Sequence, residues 1–275
     1  MRGSVLEVPG ARLRYFVRGT GPVLALVAGG HGDAGVTDAL AARLADRYTV
    51  VTYDRRGLSG SAVDEPGRTT VAVHAEDVSR LLAAVTGEPA LVFGSSLGGL
   101  VALEFALRHP GRARAVVAHE PAAVRLLPGP ERAVALRDLA GAREAFEAAG
   151  VDAALRGFAE FAGIDPTDRE PDAPVRARGP EQVRNAEFLL RYDLASLREH
   201  RLDLAALKGS GVRVVAGVGE NSGRFWPHRC GELLAAELGT GCAVFPGGHN
   251  GYAFRPRGTA RRLHEVLGTL GSGTG

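Results

Sequence analysis

The chain is predicted to fold as an α/β protein, a doubly wound, mostly parallel sheet interrupted by a helical insertion, and two observations carry the prediction. Short apolar runs alternate with segments whose apolar residues recur three and four positions apart, the pattern of parallel strands joined by crossover helices. The alternation fails once, between Pro121 and about Lys208, where helical patterns continue and no strand pattern occurs.

In chain order, the apolar runs at 13–17, 23–28, 48–53, 90–93, 115–118, 212–216 and 242–245 are expected as strands. Helix-period segments at 34–46, 70–85, 97–109, 230–238 and 259–270 are expected between and after them. Within the insertion, helical patterns at 131–149, 151–161 and 181–198 surround a Pro- and Asp-rich stretch at 165–180. The chain therefore divides into a core domain, 1–121 with 208–275, and a helical cap, 122–207, lying across one edge of the sheet. The Gly/Ser/Thr-rich tail at 268–275 is expected to fray.

The 275 residues are 45% hydrophobic and 23% charged, which excludes a disordered or fibrous chain. Thirty-three basic residues against 31 acidic ones give a net charge of +2. The basic residues are spread along the chain, so neither nucleic acid nor an anionic membrane is an expected partner. Cys230 and Cys242 have no second Cys/His pair at zinc spacing and read as separate small core residues, with no metal. The first ten residues lack an apolar signal core and no run of about 18 apolar residues occurs, so no membrane span and a cytoplasmic location are expected.

Residues 93–99 read F-G-S-S-L-G-G, so Gly94, Ser96 and Gly98 form G-x-S-x-G after an apolar strand and before an amphipathic helix. A strand turning abruptly into a helix strains the corner residue and exposes its hydroxyl, while flanking glycines avoid collisions. Ser96 is the candidate nucleophile, and the Leu97 N–H, first in the helix, faces any oxyanion that forms there. A serine needs a base. Among eight histidines, His249 stands in F-P-G-G-H-N-G-Y, a glycine-rich loop after the last strand, where parallel sheets carry their functional edge.

His74, His109, His200, His264 and His228 are given solvated or capping roles, whereas His31 and His119 follow strands and are expected to line the pocket. The A-G-G-H-G-D loop after 23–28 supplies the second oxyanion donor, Gly30 N–H or, in another register, His31 N–H; Asp33 would cap the following helix. Two carboxylates suit the acid that orients the histidine. Glu120 in A-H-E-P and Glu220 in G-V-G-E-N-S both follow strands and keep the order serine, acid, histidine; spacing does not choose between them. Asp54, in Y-D-R-R-G-L-S, reads as a turn-former.

Together the A-G-G-H-G loop, Y-D-R-R-G-L-S, the G-S-S-L-G elbow and the closing G-G-H-N-G-Y resemble the α/β-hydrolase superfamily over essentially the whole chain. The A-H-E-P segment 24 residues after the elbow serine, with F-P-G-G-H, is similar to zearalenone lactonases, whose acid follows the sixth strand, where the cap is also inserted. The resemblance implies Ser96 as nucleophile, Glu120 as acid, His249 as base, and Gly30 and Leu97 as oxyanion donors. Dehalogenase chemistry, which needs an aspartate at the elbow, is excluded by Ser96.

The expected activity is hydrolysis of an ester or lactone of a small, largely apolar molecule, without a cofactor. Phe158, Phe161, Phe188, Tyr192, Phe225, Trp226 and Tyr252 are candidate pocket walls, and Arg191 and Arg224 are expected to be solvated. Carbon-carbon bond hydrolysis or a cofactor-independent reaction on the same triad, and a catalytically silent binding protein, stand as alternatives. A homodimer is compatible with the sequence.

Overall fold

The computed structural model describes residues 3–271. Nine strands form one sheet: β1 (Ser4–Val8), β2 (Ala11–Arg18), β3 (Val23–Val27), β4 (Thr49–Tyr53), β5 (Ala62–Val63), β6 (Ala90–Ser95), β7 (Ala113–His119), β8 (Arg213–Gly219) and β9 (Ala243–Phe245). Their order is β1-β2-β4-β3-β6-β7-β8-β9, with β5 beside β2. Pairs involving β2 are antiparallel and all others parallel.

Both faces are covered, which is why the central strands read as continuous apolar runs. In β3, Ala25 and Val27 join a core with α2 (Val71–Val85), α3 (Leu97–Arg108) and α8 (Trp226–Leu238). Leu24 and Leu26 point the other way, into a core with α1 (Asp38–Leu44) and α10 (Pro256–Gly271). This period-2 partition of one apolar strand is the doubly wound arrangement itself.

Between β7 and β8 the chain is helical: α4 (Gly129–Ala162), α5 (Pro180–Phe188), a π-turn (Leu189–Asp193), α6 (Leu194–Glu199) and α7 (Leu204–Gly209). The two helical patterns expected at 131–149 and 151–161 run on as α4, kinked at Gly150, whose φ of 81° no helix interior accommodates.

Several expectations need correction. The strand before the insertion is the seventh along the chain, not the sixth that the resemblance implied: to the five apolar runs expected before the insertion, β1 and the two-residue β5 add two at the antiparallel edge, and β1, S-V-L-E-V, is largely exposed and no continuous apolar run. The expected helix at 34–46 opens as a 3-10 turn, Ala34–Thr37, capped by Asp33, before α1. The helix placed at 230–238 starts at Trp226, with Pro227 in its first turn where a missing N–H costs nothing. A four-residue helix, α9 (Gly251–Phe254), was not foreseen. Residues 268–271 of the expected frayed tail continue α10, and 272–275 lie outside the described residues.

Candidate active site

The β6–α3 junction has the strain its sequence foretells: Ser96 sits at φ 56°, ψ −122°. A Cβ on Gly94 would lie 2.2 Å from Gly98 O, and one on Gly98 2.1 Å from Val27 O, so only glycine fits at either place. The adjacent strand delivers Glu120, at φ 42°, beside this corner. Ser96 N–H donates to His119 O at 2.9 Å, and Ala122 N–H to Ser96 O at 3.0 Å, tying the two turns together.

Glu120, fully buried, meets His249 at 2.7 Å between Oε2 and Nδ1. Its Oε1 accepts from Gly219 N–H at 2.7 Å and from the Ser222 hydroxyl, which also lies 3.2 Å from His228 Nδ1. Burial alone would raise this carboxyl, but contacts with His228 and His249 and the nearby His119 hold it well below the ordinary carboxylate range. The carboxylate is therefore ionised and points one oxygen at the imidazole. Glu220, the alternative acid, is exposed, and its backbone N–H donates to Phe245 O at 2.9 Å.

The loop after β3 lies directly against the elbow, since a Cβ on Gly29 would be 2.9 Å from Ser96 Cβ. Tyr252, three residues after His249, reaches the same loop and accepts from Gly29 N–H at 3.4 Å. These contacts place the serine, the histidine loop and the glycine loop at one sheet edge. Among the described residues no hydrogen bond joins the Ser96 hydroxyl to His249; such bonds commonly tighten only when substrate is bound.

Two cavities, of about 430 and about 420 Å³, share walls at Ala159, Ile164, Asn250 and Phe254. His249, Arg224 and Phe225 line the first; His31, Leu155 and Phe158 line the second. Burial, then Arg178 and Arg55, lowers His31 to a pKa of about 4, so this ring is neutral at pH 7. His119 instead packs edge-on against Phe245, bonds Ser95 Oγ at 3.1 Å and lines neither cavity.

Phe188 covers Gly57 and lies tilted against Tyr192, with ring centres 5.0 Å apart. Trp226 stacks on Phe161 at 5.9 Å, and Tyr252 packs on Phe93. These aromatic residues are packed between elements, and none of them lines either cavity. Arg191 and Arg224 are exposed, each over a phenylalanine ring. The roles given to two other histidines are overturned: His74 is buried against Asp193, and His228, inside α8, backs the Glu120 carboxylate.

Sequence reasoning overlooked Ser222 and the arginine pair of Y-D-R-R-G. Arg56 makes a two-pronged bond to Asp77 at 2.7 and 2.6 Å, and Arg55 is buried beside Asp193. Two adjacent arginines at the carboxyl end of a buried strand were the available signal, since an arginine is buried only when paired. Among the described residues no grouping of His, Cys, Asp and Glu could hold a metal ion, and no helix is long and apolar enough to cross a membrane.

Residues 22–200 match the family described as alpha/beta hydrolase fold. The chain is 34% identical over 272 residues to an uncharacterized hydrolase of Bacillus subtilis (strain 168), YraK, covering 97% of this chain and 96% of that one. Its structure is similar to that of a hydrolase from Pseudomonas aeruginosa PA01, with a TM-score of 0.69, 26% identity and coverage of 97% and 98% of the two chains. A thermophilic esterase from Thermogutta terrifontis shares the fold at a TM-score of 0.73, with 20% identity and coverage of 98% and 99%. A family match over more than half the chain, a full-length relative and the strained serine turn agree: this chain belongs to the α/β-hydrolase fold family.

Proposed function

We propose that the protein is a serine hydrolase that cleaves an ester or lactone bond of a small, largely apolar molecule through Ser96, His249 and Glu120. The observation that carries this reading is the buried 2.7 Å contact between Glu120 Oε2 and His249 Nδ1 beside a serine held at φ 56°. The carboxylate fixes the imidazole with its proton on Nδ1, leaving Nε2 free to accept the Ser96 proton.

The serine oxygen then attacks the carbonyl carbon. The resulting oxyanion is stabilised by the N–H groups of Leu97 and Gly30, the first donor carrying the partial positive charge of the α3 N-terminus. His249 returns its proton to the leaving alcohol, which departs from a Ser96 ester. Water, deprotonated by His249, attacks that ester and frees the acid and the serine. The helices between β7 and β8 serve as a cap, and the cavity lined by Leu155, Phe158 and His31 accommodates the apolar part of the substrate.

A fluorophosphonate probe followed by peptide mapping is expected to place the adduct on Ser96, and p-nitrophenyl esters are expected to turn over with a burst. Absence of an adduct on Ser96 in folded protein would refute the reading. Burst turnover of simple esters with inert lactones would assign the acyl ester over the lactone.

A further inference from the structure

We propose that Arg55 is a positioning residue for the oxyanion loop, clamped from the helical insertion by Asp193, so that the π-turn of the insertion sets the Gly30–His31 peptide plane and makes the His31 N–H an oxyanion donor beside those of Leu97 and Gly30. The inference rests on the serine-hydrolase reading.

Arg55 follows β4 by two residues and is 1% exposed, as is the Asp193 side chain that closes the π-turn. Its guanidinium donates to Asp193 Oδ2 at 2.8 Å and, through its other terminal nitrogen, to Gly30 O. Asp193 Oδ1 is held by His74 Nε2 of α2 at 3.1 Å. A charge this deeply buried is costly unless paired, and each group here has its partner on a different element.

Gly30 needs such an anchor. Its φ of 48° suits glycine, and a Cβ there would meet only Leu189, at 3.7 Å. In a trans peptide the carbonyl oxygen and the next N–H point in opposite directions. Gly29 O accepts from Gly32 N–H at 2.9 Å, which aims Gly30 N–H the other way. The Arg55 bond to Gly30 O fixes the following plane and with it His31 N–H. Both candidate donors are thus oriented, the second through Arg55.

The insertion reaches the loop from the same turn. Leu189, the first residue of the π-turn, lies 3.7 Å from where a Cβ on Gly30 would stand, and Arg143 of α4 bonds the turn's Leu190 and Arg191 carbonyls at 3.2 and 3.0 Å. A π-turn leaves carbonyls without their usual helical partners, and such turns recur at functional sites.

The test compares an ester with its thionoester, whose sulfur accepts hydrogen bonds poorly, so the rate ratio reports the oxyanion donors and not general stability. Variants are Arg55→Met and the charge-balanced pair Arg55→Met with Asp193→Leu, which leaves no buried unpaired ion. The expected result in folded protein, confirmed by its melting curve, is a kcat lower by about 10²-fold with KM little changed. The ester-to-thionoester ratio should fall by a similar factor. An unchanged ratio in the folded double variant, with Ser96 still labelled by fluorophosphonate, overturns the role of Arg55 and leaves the hydrolase reading standing. Failure of the unmodified protein to label at Ser96 overturns both.

Discussion

Replacing Glu120 by glutamine exchanges one oxygen for an amino group at constant volume, and the bonds around the carboxylate dictate the outcome. Three donors converge on this acceptor-only group: Gly219 N–H at 2.7 Å and the Ser222 hydroxyl on Oε1, and His249 Nδ1 at 2.7 Å on Oε2. A glutamine oxygen turned toward Gly219 and Ser222 keeps two bonds and presents its NH2 to His249 Nδ1. That nitrogen must then carry the lone pair, and the ring proton moves to Nε2, the atom that has to accept from Ser96. The imidazolium formed during attack also loses its buried counter-charge. A wrong tautomer at such a triad lowers the rate by about 10⁴-fold, equivalent to about 5.5 kcal/mol in the barrier. The assay is the burst of p-nitrophenolate from an activated ester at neutral pH, normalised to folded protein by the melting curve. Acylation within about tenfold of the unmodified protein would refute the orienting role of Glu120.

Glu220→Gln, at an exposed side chain, is expected to leave acylation within about twofold, and a loss larger than that of Glu120→Gln would transfer the acid's role. Gly57→Ala puts a Cβ 2.1 Å from Phe188 Cε2 at a φ of 80° and is expected to cost about 2–4 kcal/mol in urea unfolding; an unchanged midpoint would contradict the close packing of α5 on this loop. Burial, partly offset by Glu120, lowers His119 to a pKa of about 4. Its folded value lies below its unfolded one, so the unfolded chain takes up the proton first and stability is lost as pH falls below about 6.5, by about 2 kcal/mol at pH 5. Urea midpoints at both pH values should show that loss diminished in His119→Gln, and an identical pH dependence would refute it. Glu120 and Asp193, both held below their ordinary range against the opposing effect of burial, add stability at neutral pH that is lost at still lower pH, in the same direction.

The sheet was legible because its signals are local and repeated: runs such as 23–27 are apolar on both faces, and the helices between them carry their own period. What escaped has weak local signals. β1 mixes polar and apolar residues without a period at an exposed edge, and β5 is two residues long. The π-turn continues a helical pattern and differs from an α-turn by one added residue, which no periodicity of this length resolves.

At the site, the strained turn at Ser96 was written into the chain by glycines two residues before and after it: Gly94 avoids Gly98 O within the corner itself, and Gly98 avoids Val27 O at the end of the adjoining β3. The choice between two glutamates was not. Glu120 and Glu220 occupy equivalent positions at strand ends, and only the packing of β7 between β6 and β8 turns the first onto His249, 129 residues away, and leaves the second in solvent. The pairing of Arg55 with Asp193, separated by 138 residues, likewise exists only once the insertion has folded back over the sheet. Local sterics act between residues adjacent in the chain and can be read there; charge pairing and burial depend on which distant segments share a dry interior, and tertiary structure alone decides that.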